Sequence, residues 1–209
     1  MNVSAVWEHS RGIPECLIGI AEGDVDASHP ELRNQIQEIY RLPGMTFAFK
    51  DHAKSHGTGV AGLIIAEDGN GFGIKGLSPG CHVIMALYGR PKTRMQSQRL
   101  RDELMSKKAS QAMRFLVDKG CKVINCSFVS SPDMSEAFEY AVDNDVVVVI
   151  SSGNSDCEMD FSYLPDEVLI VGAIGMDGRR WRETFTEIGR GKKGPTTASK
   201  SMSLRLQET

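Results

Sequence analysis

The sequence predicts an α/β fold: a three-layer, doubly wound arrangement around a mainly parallel β-sheet. Three observations predict it. Short apolar runs recur at residues 17–21, 83–87, 123–128, 146–150 and 168–174. Most are continuous rather than alternating, as in strands buried on both faces of a parallel sheet. Helical patterns lie between them, so strand and helix alternate along the chain.

The first run, 17–21, ends in Glu22-Gly23-Asp24-Val25-Asp26, with His29-Pro30 after it. A helix opens near His56 and carries Gly57, Gly59 and Gly62. A glycine-rich loop at 71–76 leads into the run at 83–87. Leu100, Leu104, Ala112, Met113, Leu116 and Val117 line one face of a second helix, and Gly120 follows as a natural C-terminal stop. After the run at 123–128, Ser131-Pro132 starts a helix with Met134, Ala137, Phe138, Ala141 and Val142 on its apolar face. The run at 146–150 ends in Ser151-Ser152-Gly153-Asn154. From Gly189 on, GRGKKGPTTASKSMSLRLQET is polar and basic with little periodicity. The expected organisation is one domain over 1–189 and a disordered tail over 190–209.

A chain of 209 residues has room for one domain with a sizeable core. Hydrophobic content of 41% and charged content of 24% are those of an ordinary globular protein. A net charge of -3 gives no reason to expect nucleic acid or an anionic membrane as the main partner. No apolar run is long enough to span a bilayer, and MNVSAVWEHSRGIPE has no apolar signal core, so a cytoplasmic location is expected. Cys16, Cys81, Cys121, Cys126 and Cys157 are odd in number and form no C-x-x-C pair. Free buried thiols in a reducing compartment are the reading this favours.

Gly57, Gly59 and Gly62 spell G-x-G-x-x-G, the spacing of a dinucleotide-binding loop. That loop needs a strand immediately before its first glycine. The residues upstream, Phe49-Lys50-Asp51-His52-Ala53-Lys54-Ser55, are too polar for one. A second match at Gly71, Gly73 and Gly76 leads into a strand rather than a helix. The nucleotide reading therefore fails on context. His56 has better companions: an acidic cluster at one strand end and a side-chain amide, Asn154, at another. An acid, a histidine and an amide donor around one sheet edge suggest acyl-transfer chemistry.

Together these residues resemble the subtilisin-like serine proteases, the subtilases of peptidase family S8. EGDVDASHP resembles the family's acid motif, and residues 56–62 resemble H-G-T-x-V-A-G. Gly76-Leu77-Ser78-Pro79-Gly80 resembles the loop into the next core strand. Val123-Ile124-Asn125-Cys126-Ser127 resembles the strand whose edge pairs with substrate. Ser152-Gly153-Asn154 resembles the oxyanion-hole motif, and Phe185-Thr186-Glu187-Ile188-Gly189 resembles the Phe-Ser-x-x-Gly after a late core strand.

The resemblance implies a subtilisin-like sheet and peptide-bond hydrolysis by an acid-histidine-serine triad acting on a polypeptide. His56 would be the general base. Asn154 would donate to the oxyanion. Cys126, Ser127 and Phe128 would form the substrate edge. Glu22 takes the place of the orienting aspartate, one methylene longer, with Asp24 as the competing acid. Asp26 and His29 would fix the turn after the strand. No cofactor is implied; calcium is common among relatives, but no acidic ligand loop is visible. The lack of a segment before Trp7 resembles subtilases that work inside cells. The family's G-T-S-M-A-x-P serine segment is not found; Ser201-Met202 is its nearest echo. The expectation is a domain incomplete at its C-terminus and inactive as this chain, or a peptide-binding pseudoprotease that keeps the cleft without the nucleophile.

Overall fold

A computed structural model describes residues 3–47, 55–95, 97–154, 158–175, 178–179, 186–188 and 201–202. In chain order the elements are α1 (Val3–Trp7), β1 (Ile18–Glu22), β2 (Ile36–Arg41), β3 (Met45–Thr46), α2 (His56–Ile65), β4 (Val83–Leu87) and β5 (Arg90–Pro91). There follow α3 (Gln98–Asp118), β6 (Val123–Cys126), a 3-10 turn (Pro132–Met134), α4 (Ser135–Asp143), β7 (Val147–Ser151) and β8 (Glu158–Asp160). The last are β9 (Leu169–Val171), β10 (Ala173–Ile174), β11 (Thr186–Ile188) and β12 (Ser201–Met202).

Six strands form one sheet in the order β2-β4-β1-β6-β7-β9, and every pairing in it is parallel. From β1 the chain goes to the edge strand β2, returns to β4 between them, then crosses to β6, β7 and β9 on the other side. The order therefore reverses at β1 and β6. In open parallel sheets that reversal opens a crevice at the carboxyl ends of the strands, where sites are built.

The buried runs follow from strand alternation. Val83, Met85 and Leu87 join Ile18, Ile20, Ala61 and Ile65 in a core beneath α2. Ile84 and Ala86 face the opposite way, into a larger core with Met113, Leu116, Ile124, Phe138 and Ile150 beneath α3 and α4. Both faces of β1 and β4 are thus covered, and each of their residues is buried. Three layers result, as the alternation of apolar runs and helices predicts. The α2 side of β7 and β9 is more open: Val147 and Leu169 are 45% and 41% exposed.

Three differences from the sequence reading are instructive. Ile36–Arg41, which was not anticipated, is an edge strand with its residues half-buried or exposed, so it lacks a continuous apolar run. The run at 123–128 is a strand only to Cys126, and 127–130 are irregular. In the tail, Ser201–Met202 pairs in parallel with Ala173–Ile174. The rest of 189–209 lies outside the described residues, as do His52 and Cys157.

Candidate active site

Glu22 is the last residue of β1 and is 3% exposed. Its backbone stays in the sheet: Tyr88 N–H donates to Glu22 O at 2.9 Å, and Gly89 N–H to Gly23 O at 3.1 Å. Gly23 N–H donates to the carboxylate Oε2 at 3.2 Å. The other oxygen, Oε1, lies 3.0 Å from His56 Nδ1. Among the described residues Oε1 has no further hydrogen-bond partner.

His56 opens α2, a position set by local sequence. Ser55 is the N-cap, extended at φ -69° and ψ 113°, and its hydroxyl accepts from Thr58 N–H at 3.3 Å. That hydroxyl donates in turn to Asp24 Oδ1 at 2.9 Å. Thr58 Oγ1 accepts from Asp26 N–H at 2.8 Å. Gly57 is pressed against the Asp24 carbonyl, too close for any β-carbon. The first turn of α2 is thereby locked to the loop leaving β1, and the lock sets His56 over Glu22.

The hydrogen bond to Glu22 raises the His56 imidazole above its ordinary pKa of 6.5. Partial burial opposes the rise, and the charges of Glu22 and Asp24 add to it. The imidazole side chain remains 65% exposed, so its far nitrogen is accessible to a reacting group. Of the two acids, Glu22 touches His56 and Asp24 touches Ser55. Asp26 Oδ1 accepts from Ser28 N–H at 3.0 Å, and His29 Nδ1 accepts from Glu31 N–H at 3.2 Å. Both hold the turn.

Asn154 is exposed just beyond β7, following Gly153, whose N–H donates to Ser151 Oγ at 3.0 Å. β6 separates β7 from β1, so the end of β7 that leads to Asn154 lies two strands along the same carboxyl edge, about 4.8 Å per strand.

The expected substrate edge divides. Cys126 is fully buried in the core below α4, and burial drives its thiol pKa far up, so its side chain faces no ligand. β6 pairs with β1 on one side and β7 on the other, leaving no free edge. Past the strand, 127–129 are half-buried or exposed, while Ser130 is buried. Among the described residues no hydrogen bond engages their backbone N–H groups. Ser127 Oγ accepts from Asn125 Nδ2 at 2.8 Å. Phe128 meets Tyr88 edge to face, with centroids 5.4 Å apart. Sequence reasoning missed Ser55 and Tyr88. A serine just before an apolar helical run was the available signal for the first; Tyr88 carried none.

Glu31, a carboxylate 3% exposed beside the loop at 71–76, is held within the chain. Its oxygens accept from Ile74 N–H at 3.1 Å and Asn70 Nδ2 at 3.0 Å. These are N–H donors, which suit a carboxylate and not a cation. Among the described residues no three His, Cys, Asp or Glu side chains gather as a metal site.

Residues 14–199 match the model of the subtilase family. The chain is 30% identical to fervidolysin of Fervidobacterium pennivorans over 168 residues, covering 76% of this chain and 23% of that protein. It is 29% identical to the thermophilic serine proteinase of Bacillus sp. (strain AK1) over 178 residues, covering 80% of this chain and 40% of that one. It thus spans less than half the length of either relative. In fold it is similar to the MycP3 protease from the type VII (ESX-3) secretion system, with a TM-score of 0.70 at 24% identity over 88% of this chain and 59% of that one. The acid and histidine at the sheet's crevice, the parallel sheet around them and the matched residues agree: the chain belongs to the subtilase family.

Proposed function

We propose that this chain carries the acid–base and peptide-binding parts of a serine endopeptidase. The observation that carries the reading is the 3.0 Å contact between Glu22 Oε1 and His56 Nδ1 at the carboxyl edge of the sheet. With Nδ1 committed to Glu22, Nε2 is the nitrogen left to take a proton from a serine hydroxyl and return it to the leaving amine. Glu22 keeps the imidazole oriented and stabilises its protonated form. Asn154 supports the oxyanion of the tetrahedral intermediate from two strands away. Residues 127–130 offer unpaired backbone to an extended polypeptide, with Ser127 and Phe128 beside the scissile residue.

A second reading rests on one sequence fact: no G-T-S-M-A-x-P segment occurs in these 209 residues. On that reading the chain binds peptide without cleaving it. One experiment separates the two. The purified chain is treated with a fluorophosphonate probe, which labels serines activated by a neighbouring base. Serine labelling that His56→Ala abolishes supports the endopeptidase, and loss of label in Ser201→Ala would place the nucleophile in the tail. No labelling, with an extended peptide shifting the backbone amide signals of 127–130, supports peptide binding. Neither labelling nor binding overturns both readings for this chain.

A further inference from the structure

At the opposite, amino edge of the sheet two thiols meet. The register pairs Ile18 with Val83, and Cys16 and Cys81 each lie two residues before these strand starts, on adjacent segments. Cys81 is 4% exposed and belongs to the core beneath α2, and half-buried Cys16 packs against that core. The Cys16 side chain lies close enough to act on the Cys81 thiol.

The surrounding backbone is folded around the Cys81 sulfur. Cys16 N–H donates to Ile13 O at 3.1 Å, closing a turn over it. Gly80 N–H reaches Arg11 O at 2.8 Å and ties the two segments together. Gly12, at φ +88°, lies so near Cys81 Sγ that no β-carbon fits. None of these residues belongs to the crevice at the other edge.

We propose that Cys16 and Cys81 are a redox-active dithiol that closes to a reversible disulfide. The oxidant is a small disulfide such as oxidised glutathione. The Cys16 sulfur, the more exposed, attacks it as the thiolate and releases one small thiol, leaving a mixed disulfide on Cys16. Cys81 then loses its proton and attacks the Cys16 sulfur, releasing the second small thiol. Two cysteine thiols give up two electrons and two protons, and one small disulfide becomes two thiols. Burial holds the Cys81 thiol above its ordinary pKa, which makes it the resolving partner rather than the first nucleophile. The closed loop contains β1, β2 and α2, so the bond joins the segments that carry Glu22 and His56.

The test uses the whole 209-residue chain, folded and reduced. It is incubated with oxidised glutathione, alkylated, and mapped by peptide mass spectrometry. The expected product is a peptide pair joined through Cys16 and Cys81, lighter by two hydrogens and restored by dithiothreitol. The thermal midpoint of the oxidised form rises by about 5–10 °C, as a bond closing a long loop implies. Cys81→Ser should trap glutathione on Cys16, and Cys16→Ser should leave Cys81 unmodified. Full alkylation of both thiols after oxidation overturns the proposal. So does a cross-link that forms only in urea, or one that joins Cys157 or two chains. The mapping of unsubstituted protein decides the matter even if a variant does not fold.

Discussion

Gly57 rests directly against the main-chain carbonyl of Asp24, with no space between them for a methyl group. This contact joins the first turn of α2 to the exit of β1, and it sets how far His56 stands from Glu22. Because the obstacle is backbone, it cannot swing aside as a side chain would. Gly57→Ala should therefore destabilise the fold by about 3 kcal/mol, the upper end for overpacking. Urea unfolding measures this, and a loss under about 0.5 kcal/mol would show that the contact is loose. Gly59, whose added β-carbon would meet open space, is the control: Gly59→Ala in a helix should be neutral or stabilising.

The His56 imidazole should titrate above 6.5, and Glu22→Gln should bring it down toward that value. A group whose pKa is higher folded than unfolded contributes fully below the unfolded value and loses that contribution as pH rises through the folded one. The pair therefore stabilises the fold most below pH 6.5, and its contribution fades above that. Proton abstraction runs the other way, since only the neutral imidazole acts as a base. NMR titration of the ring in both proteins checks the shift; equal midpoints would remove Glu22 as its cause.

Ser55 links Asp24 to the cap of α2, so its loss should act twice. Ser55→Ala removes a helix N-cap at a cost of about 1 kcal/mol. It also frees Asp24 from the hydroxyl that holds it at 2.9 Å. Ser55→Thr, which keeps the hydroxyl, should recover most of the loss. Chemical denaturation with the His56 titration as second readout separates the two effects; recovery of stability without recovery of the ring's midpoint would show that Asp24 is not held through Ser55.

Peptide should engage the backbone past β6. Val129 is 46% exposed, and its N–H has no partner among the described residues. Val129→Pro removes that donor without emptying the core and should weaken binding of an extended peptide about tenfold, the equivalent of about 1.4 kcal/mol. Calorimetric titration is the measurement. Unchanged affinity in a folded variant would move the binding surface elsewhere.

Much of the site was legible in the sequence because it depends on local signals. A serine before an apolar helix marks a cap, and an acidic cluster after a buried run marks the carboxyl end of a strand. Together with the resemblance of these segments to the family's motifs, they let Glu22, His56 and Asn154 be named. Cys126 could not be placed correctly. A four-residue apolar strand reads the same whether its edge is open or paired on both sides, and only the sheet order puts β6 between β1 and β7.

By itself the sequence determined the layers, since continuous apolar runs alternating with amphipathic helices can be buried only in a parallel sheet covered on both faces. It also determined which residue types stand at the strand ends. Tertiary structure decided which of them touch. A longer glutamate reaches Nδ1 because α2 lies close against the β1 loop, while Asp24, nearer in kind to the family's acid, is turned to Ser55. The meeting of Cys16 with Cys81 was decided there too. Such distances depend on how distant segments pack, and no local pattern of hydrophobicity or propensity encodes them.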